Sequence, residues 1–229
     1  MSDKHEVTNE QQVLAKAQGF WQQYQKIIIG AVAVVVISFA GLYGYKEYIV
    51  KPKEEKAAEA LFKAEEYFRM DSSNLVLNGD GQTRGALYVI KNFGGTKAAN
   101  LAYFYAGVSY LKLGDFSNAV KYLKDFSTDA KQIQLLAYGA LGDAYAEQNK
   151  TDDAINYYKK AGNTFEKDDN NSAEYLFRAA LLLETKGKND EALAIYKEIK
   201  EKFPKTDKGF QADRYIYRLS IEKNDLGAN

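Results

Sequence analysis

Few side chains in this sequence could do covalent chemistry. Cysteine is absent from all 229 residues, and the single histidine is His5. Without thiols there is no disulfide, no thiolate nucleophile and no cysteine-ligated zinc or iron–sulfur centre, and the redox compartment cannot be read from them. With no imidazole after residue 5, neither a Ser-His-Asp relay nor the common zinc constellations can be assembled in the body of the chain. Carboxylates remain, 31 of them balanced by 31 Lys and Arg, but no pair stands out as a general acid and base. The balance also removes any global field that would draw the chain to nucleic acid or to an anionic surface. The residue types therefore point away from an enzyme, a metal or an organic cofactor. They leave recognition through apolar and aromatic surface.

Helices have to carry such a surface. Two prolines and 18 tyrosines, with many Ala and Lys, favour helix packing over short strands and tight turns. One stretch stands apart. Residues 27–45, IIIGAVAVVVISFAGLYGY, carry no charge and are bracketed by Lys26 and Lys46. At 1.5 Å rise per residue they cover roughly 28 Å, close to the hydrocarbon thickness of about 30 Å. Its Ile, Val, Leu and Phe residues favour insertion by about 3 to 6 kcal/mol before Gly and Ser are discounted. Trp21 and Tyr24 before the run, with Tyr43, Tyr45 and Tyr48 at its end, form two aromatic belts at headgroup level. The reading is a transmembrane helix over residues 27–48. A cleaved signal peptide is the competitor, because Ser38 and Ala40 could supply a small-x-small cleavage site. The segment before the run, however, is long and carries Asp3, Glu6 and Glu10, whereas a signal's leading region is short and basic.

Residues 1–26 form a polar start followed by Val13, Leu14, Ala17, Phe20, Trp21 and Tyr24 at helical spacing, an amphipathic helix. It either lies on the membrane or a partner, or extends the span with interfacial aromatics. Within the span, Gly30, Ala33, Ala40, Gly41 and Gly44 fall in one arc, and Ala40 and Gly44 form a small-x-x-x-small pair. Such a seam would pack closely against another membrane helix.

Residues 52–229 form the second part. A helix with Ala58, Leu61, Phe62, Ala64 and Phe68 between charges leaves the membrane, with Pro52 permitting a bend near its start. The glycine-rich run DSSNLVLNGDGQTRG, residues 71–85, is predicted to be a loop before the apolar segment ALYVIKNF. After it the sequence repeats: AGVSYLKLGDFSNAVKYL from Ala106 returns as LGDAYAEQNKTDDAINYY from Leu141, a shift of 35 residues. Gly107 and Gly142, Tyr110 and Tyr145, and Ala119 and Ala154 occupy matching positions. A third unit places Ala180, Leu183, Gly187, Ala192, Tyr196 and Pro204 in the same order. These positions resemble the tetratricopeptide pattern, whose fold is a solenoid of stacked helix pairs.

The pattern is steric. Small residues such as Gly107 and Ala119 let the two helices of a repeat approach, and aromatics fill the space between repeats, so stacking is obligatory. The expected architecture is all-α: one N-terminal transmembrane helix, then about four helix pairs, the first divergent over residues 54–93. A capping helix over 209–222 closes the stack. It turns Phe210, Tyr215, Ile216 and Leu219 inward, with Arg214, Arg218 and Lys223 toward water. Aligning the repeats puts Leu101, Phe104, Val108, Leu111 and Lys112, then Leu136 and Asp143, then Phe177 and Leu181, on the concave face lined by the first helix of each repeat. That face is expected to bind extended apolar or helical segments, because Lys112 alone could receive an acidic carboxy-terminus. The other reading of these residues is core, covered by the first repeat or by the capping helix.

The tail with its aromatics (FWQQYQK), the single span, the alanine-rich basic helix and the short repeat stack together resemble the YfgM-type ancillary subunits of the SecYEG translocon. The resemblance implies a bacterial inner-membrane protein with its N-terminus in the cytoplasm and its repeats in the periplasm. It also implies partnership with translocon subunits, a periplasmic chaperone and emerging polypeptides. The charge count points the other way: Lys16 and Lys26 precede the span, whereas Lys46, Lys51, Lys53 and Lys56 follow it. Long domains translocate largely regardless of such charges, so the topology implied by the resemblance is the expectation here. A general envelope scaffold using the same groove is the alternative function.

Overall fold

Helix is the only regular structure among the described residues, 9–222, of the computed structural model. His5 and Lys223 lie outside these residues. The chain divides into two compact units, one up to Lys53 and one from Glu54 onward.

The first unit is built on α1 (Asn9–Tyr45), followed by one π-helical turn (Lys46–Val50). It contains one helix long and apolar enough to cross a membrane, and the apolar window of that helix is wholly unburied. At Gly30, Gly41 and Gly44 an added Cβ would meet nothing within 4 Å. The rings of Phe20 and Tyr24 lie 4.9 Å apart, tilted by 42°, on the part of α1 that precedes the span. The π turn has a local cause. Pro52 cannot donate to the carbonyl four residues back, and its ring crowds that carbonyl. Widening the preceding turn relieves both, and the Lys51 amide then bonds to Lys46 O, five residues back.

The second unit begins within α2 (Lys51–Arg69), which buries Ala57, Leu61 and Ala64. The segment expected to be a plain loop contains α3 (Ser73–Asn78), because Val76 and Leu77 have a core to enter. The remainder is a tight turn built on Asp80. Its carboxylate accepts the Thr83 amide at 2.7 Å, the Gln82 amide at 3.0 Å, the Thr83 hydroxyl at 2.9 Å and the Tyr67 hydroxyl at 2.8 Å. These bonds, the Thr83 amide first, hold the Asp80 carboxyl well below the usual carboxylate range. Gly79 has φ +79°, and a Cβ there would sit 2.0 Å from Thr83 O, so only glycine fits. Helix α4 (Ala86–Asn92) packs on α5, and its Ala86 and Val89 share one core cluster with Ala57 and Leu61 of α2.

Three regular pairs follow: α5 (Lys97–Lys112) with α6 (Phe116–Asp125), α7 (Lys131–Glu147) with α8 (Thr151–Thr164), and α9 (Asp169–Thr185) with α10 (Asn189–Lys202). Side chains of Thr96, Asp115 and Asp168 cap three of these helices by accepting amides of the first turn. Each first helix ends at a left-handed residue, Gly114, Asn149 or Gly187, with asparagine doing at 149 what glycine does at the other two. Close approach is as the repeat requires: a Cβ on Gly107 would lie 2.5 Å from Leu123, and one on Gly142 would lie 2.4 Å from Tyr158. The first helices α5, α7 and α9 touch in succession, and α11 (Asp207–Glu222) follows on as the next of that series. Helix α11 buries Ala212 and Leu219 and half-buries Tyr215 and Ile216. Phe210 is not part of that contact. It points away from the stack, 72% exposed, because it lies on the side of the helix opposite Ala212 and Leu219.

Candidate functional site

The face lined by α5, α7, α9 and α11 collects every repeat-domain residue that the alignment singled out, but at very different depths. Leu136 and Leu181 are 36% and 37% exposed, and Leu101, Val108 and Leu111 are half-buried beside them. Phe104 and Phe177 are core residues, 9% and 4% exposed. Rings of their own repeat and of a neighbouring helix, α2 for Phe104 and α11 for Phe177, cover them. Phe104 packs against Phe126 at 5.3 Å, Tyr105 at 5.9 Å and, from α2, Phe68 at 6.3 Å. Phe177 meets Tyr196 at 5.4 Å and the edge of Tyr215 on α11 at 4.9 Å, with Lys208 Nζ 4.5 Å from its ring centre.

The charged positions are tied down as well. Lys112 pairs with Asp71 and stands 5.4 Å from the centre of the Phe68 ring. Asp143 accepts the Tyr158 hydroxyl and Arg178 Nη1 on the same oxygen, both at 2.6 Å. Arg178 continues to Glu174 at 2.8 Å, and Lys208 reaches Glu174 at 3.4 Å. Further along the face, Glu184 accepts the Tyr196 hydroxyl at 2.6 Å and pairs with Arg218. The sequence reading missed Arg178, Glu174, Lys208 and Glu184, and it turned Arg218 toward water without its partner Glu184. A usable signal was present: each inter-repeat pair joins opposite charges one repeat apart, 35 residues for Asp143 and Arg178 and 34 for Glu184 and Arg218.

The electrostatics of this network fix protonation rather than move it. Burial first, then the bond to Asp143, pushes the Tyr158 phenol far up; burial first, then Asp143, pushes Tyr175 up to about 12. Burial opposes the charge on Glu174, but Arg178 and Lys208 outweigh it and keep the carboxyl below its usual value. Burial likewise opposes the charge on Arg178, yet Glu174 and Asp143 raise its pKa further. Groups held this firmly are the opposite of what proton transfer near neutral pH needs. Among the described residues no cluster of His, Asp and Glu could hold a metal ion. What the face offers is leucine side chains set among neutralised charges, a surface suited to contact.

Comparison with known families returns two matches. Residues 18–141 match the model described as tetratricopeptide repeat-like domain, and residues 140–206 match tetratricopeptide repeat. No curated protein matches the chain.

Proposed function

Because the chain belongs to the tetratricopeptide repeat-like domain family, with residues 18–141 in the match, we propose that it is a non-enzymatic, membrane-anchored protein–protein interaction module. The first-helix face is the binding surface, with Leu136 and Leu181 as open anchors, Leu101, Val108 and Leu111 beside them, and Lys112 and Asp143 at its edges. The observation that carries this reading is the coexistence of exposed leucines and internally matched charges on one face. A ligand that brought an acidic terminus would find its cations already engaged, so an extended apolar or helical segment fits better.

The span over residues 27–48 anchors the module in the bacterial inner membrane, N-terminus in the cytoplasm and repeats in the periplasm. Its small-residue seam, Gly30, Ala33, Ala40, Gly41 and Gly44, packs against a membrane partner. The partners are subunits of the SecYEG translocon, a periplasmic chaperone and the polypeptides that emerge there. Support comes from the layout of tail, span and repeats, and from a family match that starts at residue 18, ahead of the apolar run.

The test is co-purification of the full chain after mild detergent extraction, alongside Leu136→Glu with Leu181→Glu. Translocon subunits that are recovered with the native chain and lost with the variant support the proposal. Recovery of an unrelated membrane assembly instead would replace it with a general scaffold role. Labelling a cysteine placed at Asp169 in intact cells tests the orientation, since the native chain has no thiol.

A further inference from the structure

Helix α11 has two apolar sides. One, Ala212 with Leu219, is buried in the stack; the other carries Phe210, Tyr217 and Ile221, which are 72%, 62% and 42% exposed. With Arg214 these fall at spacings of four, three and four residues, a single stripe along the helix.

Two of the three regular repeats show what such a stripe is made for. Tyr103 and Tyr110 on α5, and Tyr138 and Tyr145 on α7, are also seven residues apart, and each pair flanks a tyrosine of the following helix. Tyr122 lies 6.1 and 5.3 Å from the first pair, and Tyr157 lies 6.1 and 5.4 Å from the second. Phe210 and Tyr217 repeat the spacing on α11, yet no helix among the described residues lies over them. Nor could an ordinary second helix take the place. Four residues after Tyr103 and Tyr138 stand Gly107 and Gly142, where even a Cβ would come within 2.5 Å of the facing side chain. Four residues after Phe210 stands Arg214. The occupant must present an aromatic face, not a backbone, to the guanidinium.

We infer that the occupant is α11 of a second copy, packed antiparallel across a two-fold axis. The stripe is its own complement in that direction. Phe210 faces Ile221 of the second copy and Arg214 faces Tyr217 of the second copy, and the two-fold repeats both contacts. Each contact matches in kind, apolar on apolar and cation on ring. A parallel pairing would instead bring the two Arg214 side chains together, like charge against like. The antiparallel register thus sets the one charge on the stripe over a ring and covers all three exposed apolar side chains.

Cysteine cross-linking of the full chain in mild detergent tests both the pairing and its register, with no native thiol to interfere. A mixture of Phe210→Cys and Ile221→Cys chains, combined under reducing conditions and then oxidised, should give a disulfide-linked dimer. Either variant alone should give at least tenfold less. Residue 210 in one copy stands about 11 residues along the axis from 210 in the other, roughly 16 Å, beyond the Cα separation of about 7 Å that a disulfide spans. Adding Tyr217→Lys to both chains sets a second cation against Arg214 of the other copy and should abolish the cross-link while leaving the helical circular dichroism unchanged, since Tyr217 faces away from the stack. No dimer in the mixture, equal dimer from either variant alone, or a cross-link that survives Tyr217→Lys would each overturn the inference.

Discussion

Arg178 on α9 places its Nη1 2.6 Å from Oδ1 of Asp143 on α7, 35 residues earlier, and the Tyr158 hydroxyl of α8 shares that oxygen. One carboxylate thus joins three successive helices. Lys186 with Asp152, Lys202 with Glu166 and Arg218 with Glu184 repeat the theme, each about one repeat length apart. Because the solenoid is translationally regular, residues one repeat apart lie side by side, and opposite charges at that separation stitch neighbours together.

These ties should differ in strength according to what each leaves behind when cut. Asp143→Ala strands the buried Tyr158 hydroxyl and removes one of the two carboxylates on Arg178, and should cost about 1–3 kcal/mol. Lys202→Ala opens a pair with Glu166 whose side chains are 41% and 47% exposed, and should cost about 0–1 kcal/mol. Denaturant melts of the two variants measure the difference; equal losses would mean that the Asp143 site is no more than a surface ion pair.

The same close packing sets a second expectation. A Cβ on Gly142 would stand 2.4 Å from the Tyr158 ring, whereas one on Gly81 meets nothing within 4 Å. Gly142→Val should therefore push α7 and α8 apart and lower stability by about 1–3 kcal/mol or more. Gly139→Ala should behave similarly, because Tyr175 rests against that glycine. If the Gly142 variant melts at the native temperature, the helices do not approach as described.

Much of this architecture was legible because the repeat constrains positions, not just composition. Gly107 and Gly142 recur with Tyr110 and Tyr145 at one spacing, and a single chain carries enough copies to reveal it. The site was less legible, for a physical reason. Whether Phe104 or Phe177 faces solvent is decided by Phe68 and Tyr215, which arrive from other repeats and share no local pattern with them. Phe210 was misplaced for a related cause: α11 has two apolar stripes, and periodicity does not say which one meets the stack. Helix α3 escaped because six residues between glycine-rich turns carry too little period to read.

Alkaline titration should expose the buried phenols. Tyr158 and Tyr196 each donate to a carboxylate at 2.6 Å, and burial followed by that bond raises both above their ordinary value of 10.0; burial pushes Tyr175 up to about 12. The folded state therefore favours the neutral phenol. Its stabilisation is complete below pH 10 and is lost as the pH rises through 10 to 12 and beyond. Phenolate absorbance should show most of the 18 tyrosines ionising first, with a delayed fraction that appears together with loss of helical circular dichroism. Simultaneous ionisation of all of them, with the helix signal intact, would contradict the burial of these rings.

The final expectation separates core from contact surface on the first-helix face. Phe177 is 4% exposed and ringed by Tyr196, Tyr215 and Lys208, so Phe177→Ser removes a packed ring and buries a hydroxyl, at a cost of several kcal/mol. Leu181 lies one turn further along the same helix at 37% exposure, and Leu181→Ser should change stability by less than about 1 kcal/mol. Binding should follow the opposite order among folded variants, because only Leu181 can be reached without opening the core. Melting temperature and recovery of bound protein, measured on both variants with Leu136→Ser as a third, give the comparison. If Leu181→Ser and Leu136→Ser melt normally and still retain every bound partner, the leucine face is not where partners dock.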